Sequence, residues 1–376
     1  MDRYFNPFVI GKYAGKEYFC DRVEETKLLK HHLENGRNVT IMSERRMGKT
    51  GLIEHTFTNA LKEDDYYTFI IDIYTAKNLR EMVCLLANEI FKKIVRRQSL
   101  LAKLTQIVQS LKTTVKYNSI TGEPEVEFGL GEIVTPELTL DELFAYMEQA
   151  DKPCIVAIDE FQKITDFDED NIEAILRTKI QHLRNTQFVF AGSERHLLEG
   201  IFNDSSRPFY NSVVFMQLLP IDRKEYLEFC KRLFAENNKE VQDAFVNGVY
   251  DYFNGVTWYM QLSMNEAFSL TLPKSSIGIQ QLQTVLTHMV DTKRFTFEDK
   301  YASLTEKQKA VIKAMANEYP SEVSPTSKDF ILRHNLKTAS SVQTAMKGLM
   351  DKGVVNEWRG NKRITDLLFV LWLKKF

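Results

Sequence analysis

The sequence predicts an α/β fold: a mostly parallel sheet wrapped by helices, continued by a helical segment and closed by a small helix-and-hairpin domain. Three observations predict it. Through the first two hundred or so residues, strand-like apolar stretches alternate with helix-periodic ones, the signature of a doubly wound sheet. The stretch from Asn38 to Glu54, NVTIMSERRMGKTGLIE, runs an apolar strand into a basic turn that opens a helix. The last 75 or so residues read as three helices followed by strand, turn and strand.

The Asn38 to Glu54 stretch is a phosphate-binding loop. In the pattern G-x-x-x-x-G-K-[ST], backbone N–H groups curl around the phosphates, the lysine reaches the β/γ-phosphates and the hydroxyl holds Mg²⁺. Gly48, Lys49 and Thr50 match, while Ser43 stands where the first glycine is expected. The loop residues Ser43, Glu44, Arg45, Arg46, Met47, Gly48, Lys49, Thr50 and Gly51 are therefore the candidate ATP contacts, at the N-terminus of a helix that favours an anion.

The expected strands are Asn38 to Met42, Tyr67 to Tyr74, Cys154 to Asp159, Phe188 to Ser193 and Val213 to Leu218. Helices fill the gaps: Arg22 to Asn35, Gly51 to Leu61, Leu79 to Ser110 in one or two pieces, Leu140 to Ala150 and Asn171 to Asn185. Between Lys112 and Pro136 two alternating stretches flank a Thr-Gly-Glu-Pro turn, read as an inserted hairpin that is either a plain surface feature or a partner-binding projection. The P-loop NTPase core is thus placed at residues 1–219.

Hydrolysis needs a second element, and KPCIVAIDEF (Lys152 to Phe161) has the form of a Walker B strand. It carries Asp159 to the sheet's carboxyl edge to hold Mg²⁺ with Thr50, and it places Glu160 as general base for an attacking water. The strand ending AGSERHL belongs beside the P-loop strand. There Ser193 senses the γ-phosphate and Arg195 adds charge to the transition state, or each instead caps the helix that follows. Arg22, ahead of the first helix, reaches the nucleotide or pairs with Glu24 or Glu25.

From Pro220 to about residue 295 apolar positions recur at helical spacing, first through Tyr226, Leu227, Phe229 and Leu233, then through Val241, Phe245, Val249, Tyr252 and Phe253. Three or four packed helices, a lid, are expected there. From 296 to 376 a winged helix is expected: helices after Thr305, over Thr326 to Arg333 and over Ser340 to Met350, then Val354 to Trp358, a turn Arg359 to Arg363, and a return strand Ile364 to Val370. In such folds the third helix enters the major groove of duplex DNA. Ser340, Gln343, Thr344 and Lys347 would then face bases or phosphates, with Arg359, Lys362 and Arg363 along the backbone.

Charge agrees with that placement. Residues 301–376 hold 13 Lys/Arg against 7 Asp/Glu, a balance of +6 in a chain of formal charge −2. Winged helices also dock proteins, and Asp351, Glu357 and Asp366 lie among these cations, so a protein partner stays open beside DNA. The four cysteines Cys20, Cys84, Cys154 and Cys230 lie far apart without zinc-type spacing and read as reduced core thiols. No apolar run approaches the roughly 20 residues of a membrane span, and the N-terminus lacks a signal-peptide core, so a cytoplasmic location is expected.

With these residues in view the chain resembles the archaeal-type ATPases of the STAND branch of AAA+ proteins. Tyr18-Phe19-Cys20-Asp21-Arg22 with Glu25 resembles the family's F-x-G-R-x-x-E opening, and Arg45-Arg46-Met47-Gly48-Lys49-Thr50 its R-R-x-G-K-[ST] loop. Ile158-Asp159-Glu160-Phe161-Gln162, Gly192-Ser193, Arg207-Pro208-Phe209-Tyr210 and Leu218-Leu219-Pro220 continue the likeness. Phe253 to Tyr259 resembles its G-G-x-P-x-Y segment, with Thr257 in place of the proline. The resemblance implies an AAA+-like switch, driven by ATP and Mg²⁺ and slow in hydrolysis, that changes the relation of core, lid and appended domain. A nucleotide-dependent homo-oligomer is compatible with it, with Arg184 and Arg207 as candidates to act across an interface.

Overall fold

The computed structural model describes residues 6–62, 64–94, 115–117, 124–126, 133–321, 324–358 and 360–375. They form two compact units: Arg22–Leu219, and the residues up to Asp21 together with those from Pro220 onward.

The first unit is built on β1 (Val39–Met42) and β2 (Tyr67–Asp72), an antiparallel pair β3 (Val115–Tyr117) and β4 (Pro124–Val126), then β5 (Cys154–Asp159), β6 (Thr186–Gly192) and β7 (Val214–Gln217). Five of these make a parallel sheet in the order β2-β5-β6-β1-β7. Parallel strands are covered on both faces, which is why β1 and β5 are mainly apolar with every residue buried, Thr40 and Asp159 being the polar members. Register pairs Asp72 with Asp159 and Met42 with Gly192, so the carboxyl ends of four strands finish along one edge.

The helices follow expectation to within a few residues: Val23–Glu34, Lys49–His55, Leu79–Ile94, Pro136–Glu148 and Ile172–Ile180. The P-loop helix continues as a π-helical turn over Thr56–Ala60, where the Thr56 hydroxyl donates back to Leu52 O at 2.8 Å. Beyond Ile94 the expected Leu79 to Ser110 helix lies outside the described residues, as does most of the 112–136 insertion. Its two described strands pair antiparallel, Val115 opposite Val126. Below the strand ends, Phe161, Phe190, Phe202 and Phe209 interlock with ring centroids 4.4 to 5.9 Å apart. This fixes the backbone on which Glu160 is carried.

In the second unit the N-terminal segment packs on the lid helices Arg223–Ala235 and Thr257–Leu270: Phe8 is fully buried against Phe229, Phe234 and Phe268. Asn6 and Asn265 clamp it, Asn6 Nδ2–H donating to Asn265 O and Asn265 Nδ2–H to Phe8 O. Helices Asp243–Phe253 and Leu282–Asp291 complete the group, with Asp222 capping the first of the four through the Lys224 and Glu225 N–H groups.

The winged helix comprises Glu306–Glu318, Lys328–Arg333 and Ala339–Asp351, then β10 (Val355–Trp358) and β11 (Asn361–Ile364), β8 and β9 being two-residue strands at Glu240–Val241 and Ser276–Ile277. Thr305 and Gln308 form a capping box on its first helix. Two expectations are corrected. The return strand ends at Ile364, and Leu367–Lys375 is a helix with Leu368, Phe369, Val370, Trp372 and Leu373 buried. A short apolar run buried nearly all round carries no period that separates strand from helix. The turn is also tighter than expected: Trp358 pairs with Asn361 across Gly360 at φ +79°, so Lys362 and Arg363 lie on β11.

Candidate functional site

The loop after β1 takes two left-handed positions, Arg46 at φ +71° and Gly48 at φ +88°, which turn the chain into the helix beginning at Lys49. Ser43 is not among the left-handed residues, so the position where glycine was expected accepts a side chain. That side chain is fully buried and its hydroxyl donates to Glu44 O at 2.9 Å. Met47 is buried, and its carbonyl accepts from Arg22 Nη2, whose other nitrogen, Nη1, pairs with Glu25 at 2.7 Å. Arg22 is 3 % exposed. A guanidinium so buried requires fixed partners, and here it ties the first helix to the loop backbone.

Sheet order does the rest. β6 lies between β1 and β5, so Ser193, just past β6, falls between the P-loop and the Walker B carboxylates. Thr50 Oγ1 donates to Asp159 Oδ2, joining loop and strand directly. Asp159 Oδ1 accepts the Glu160 N–H at 3.0 Å, and Glu160 stands in the left-handed region at φ +55°. Non-glycine residues pay on the order of 1 kcal/mol or more there and are concentrated at functional sites. Glu160 Oε2 accepts from Ser193 Oγ at 2.8 Å and from Gln162 Nε2 at 2.6 Å, while Arg45 Nε donates to Ser193 Oγ at 3.4 Å.

Lys49 is 6 % exposed. Burial lowers its affinity for a proton, Glu160 and Asp159 oppose that shift, and the nearby Arg45 reinforces it. Asp72, across from Asp159, is shifted the other way: partial burial and the charges of Asp159 and Glu160 raise its pKa, against the pull of the Tyr74 N–H. The fold therefore gathers Arg45, Lys49, Thr50, Asp159, Glu160 and Ser193. Arg195 is turned to Glu199, Nε–H to Oε1 at 2.7 Å, and Ser193 leaves the N-cap of helix Arg195–Asn203 to Glu194. Arg207 is held by both carboxylate oxygens of Glu173. Sequence reasoning missed Gln162 and Asp72. The first was visible as the polar residue after the Asp-Glu-Phe run, the second only through strand register.

On the winged helix, Ser340, Gln343, Thr344 and Lys347 share the exposed face of helix Ala339–Asp351, opposite buried Val342, Ala345, Met346 and Leu349. On β11, Lys362 and Arg363 are half-exposed and opposite Glu357 and Asn356. Arg359 lies outside the described residues. Among the described residues no helix is long and apolar enough to cross a membrane.

A parallel sheet whose strand ends unite a Gly-Lys-Thr loop with an Asp-Glu strand, joined to a winged helix, defines a P-loop ATPase of AAA+-like build. Residues 19–262 match the ATPase domain family found predominantly in Archaea, and the chain belongs to that family. Residues 295–375 match a probable winged helix domain. Among solved structures, a Walker-type ATPase of Pyrococcus abyssi is similar over 98 % of this chain and 99 % of its own, at 18 % identity and a TM-score of 0.62. The ORC2 protein of Aeropyrum pernix, solved in ADPNP-ADP complexes, is similar over 98 % of this chain and 95 % of its own, at 12 % identity and a TM-score of 0.59. At such identities the likeness is one of fold. No curated protein matches the chain.

Proposed function

We propose that the protein is a Mg²⁺-dependent ATPase that works as a slow, STAND-type switch and contacts duplex DNA through its winged helix. The observation that carries the ATPase reading is the hydrogen bond from Thr50 to Asp159, with Glu160 and Ser193 beside it. Hydroxyl and carboxylate oxygens are the hard donors Mg²⁺ prefers, and buried Lys49 in a loop with two left-handed residues suits a polyphosphate. Bound Mg²⁺ would neutralise phosphate charge. Lys49 and the backbone N–H groups of residues 44–51 hold the β/γ-phosphates, and Thr50 and Asp159 hold the metal. Glu160 orients and deprotonates the water, and Ser193 with Arg45 faces the terminal phosphate. Arg22 braces the loop rather than touching nucleotide, and Arg195 serves its pair with Glu199.

The test is ATP turnover with Mg²⁺, with and without duplex DNA, beside Lys49→Ala and Glu160→Gln. Loss of turnover in both variants is expected; full activity in either sinks the assignment. For DNA, the supporting observation is the polar face of helix Ala339–Asp351 in the basic C-terminal region. Binding should weaken steeply with salt, and Lys347→Ala with Arg363→Ala should flatten that slope by about 2, close to one unit per phosphate contact. A second reading, a scaffold whose winged helix and inserted hairpin hold a protein partner, is favoured by the placement of Glu357 opposite Lys362, which cancels charge on the wing. Absence of any salt-dependent DNA binding selects it. ADP and ATP are the nucleotides to compare, and light scattering under each tests for a homo-oligomer.

A further inference from the structure

Three of the arginines that could serve the nucleotide are held by carboxylates: Arg22 pairs with Glu25, Arg195 with Glu199, and Arg207 with both oxygens of Glu173. Arg45 differs. It is exposed, and its described hydrogen bond runs from Nε to Ser193 Oγ at 3.4 Å, which leaves Nη1 and Nη2 without partners among the described residues. A bond of that length is weak, and a phosphate oxygen in its place is a stronger, charge-assisted acceptor.

Contacts on either side of one hydroxyl set where this guanidinium stands. Ser193 Oγ accepts from Arg45 and donates to Glu160 Oε2 at 2.8 Å, so the cation lies one side chain away from the carboxylate assigned to the water. It is also near enough to Lys49 to disfavour that lysine's proton. Lys49, Arg45, Ser193 and Glu160 are thus successive neighbours at the mouth of the loop. Lys49 is buried, whereas Arg45 keeps its water until a phosphate arrives, and its planar fork can then meet two oxygens of one phosphoryl group.

We propose that Arg45 is a catalytic residue acting in cis: its Nη groups contact the equatorial oxygens of the transferring phosphoryl group, so one chain completes the site without an arginine from a second copy. The inference rests on the ATPase reading above. As the water oxygen bonds to the γ-phosphorus, Glu160 takes the water's proton. The bond from that phosphorus to the β–γ bridging oxygen breaks, and its electron pair leaves with ADP. Arg45 transfers no proton and stabilises the charge on the equatorial oxygens.

The test uses the full chain as wild type, Arg45→Ala, Arg45→Lys and Glu160→Gln. Each is read by ATP turnover with Mg²⁺, by titration with a fluorescent ADP analogue, and by retention of ADP with aluminium fluoride, a mimic of the transferring phosphoryl group. Arg45→Ala should lower kcat about a hundredfold or more and abolish fluoride-dependent retention, with ADP affinity changed less than about threefold. Arg45→Lys should recover only a small part of either, because an ammonium lacks the fork. Wild-type turnover per chain should be constant on dilution, and mixing Arg45→Ala with excess Glu160→Gln, which keeps Arg45, should restore nothing. Restoration on mixing, or loss on dilution, overturns the cis assignment. A raised KM with unchanged kcat overturns the catalytic role, since a solvated surface cation gives that result. Loss of ADP binding in both Arg45 variants does so too, because it makes Arg45 a ground-state contact. A wild type that binds ADP without turnover or fluoride-dependent retention overturns the role and leaves nucleotide binding in place. Failure of wild type to bind ADP removes the ATPase reading, and this inference with it.

Discussion

The hydroxyl of Tyr259 donates to Asp366 Oδ1 at 3.1 Å and accepts the Leu367 N–H at 2.9 Å. The same Asp366 oxygen accepts the Leu368 N–H at 3.0 Å. A tyrosine from lid helix Thr257–Leu270 therefore shares the N-terminus of the chain's last helix with an aspartate cap, and Tyr259 is 2 % exposed. Tyr259 thus makes a joint between the lid helices and the winged helix, and within the winged helix Trp372 and Phe369 of that last helix pack on Phe297.

Tyr259→Phe keeps the ring and removes both hydrogen bonds at a buried site. It should destabilise the fold by about 1–3 kcal/mol, seen as a lower thermal midpoint. Asp366→Asn retains an acceptor and should have a smaller effect. Equal midpoints for Tyr259→Phe and wild type would show that the joint is held by packing alone.

Lys49 is a desolvated cation whose pKa is lowered by burial, so it opposes folding until phosphate accompanies it. Lys49→Ala should leave the nucleotide-free midpoint within a few degrees of wild type. It should also abolish the rise produced by ADP, worth about 2.7 kcal/mol at a hundredfold excess over Kd. Calorimetry with and without ADP reads both quantities.

Asp72 gives a pH dependence. Its folded pKa lies above the ordinary 3.8, mainly through burial, with Asp159 and Glu160 adding to it. The folded state thus holds this proton more tightly, and stability is lost as pH rises from 3.8 through the folded value. Asp72→Asn should be more stable than wild type at neutral pH, by less than about 1 kcal/mol because the site is partly solvated. The difference should vanish toward pH 3.8 in urea titrations.

Gly348 faces Gln308, whose Nε2 would lie 2.4 Å from an added Cβ. Gly348→Ala gains helix propensity but displaces the side chain that completes the Thr305 capping box. A net loss of about 1 kcal/mol is expected, and Gln308→Ala should remove the penalty for the alanine at 348. Additive effects of the two changes would refute the contact.

The sheet and the chemistry of its edge were legible in the residues alone. Parallel strands covered on both faces are mainly apolar, so VTIM, YTFIID and CIVAID were legible without partners, and Gly48-Lys49-Thr50 with Asp159-Glu160 announced a phosphate site by residue type. Packing set what spacing does not encode. It set Gln162 and Ser193 on one oxygen of Glu160, turned Arg195 to Glu199 and tied Arg22 to the loop, because a long polar side chain takes whichever partner the packing places within about 3 Å. It also seated Phe8 among lid aromatics and made 367–375 a helix. An apolar segment has no preferred partner until the surface that buries it exists, and hydrophobic burial is not directional.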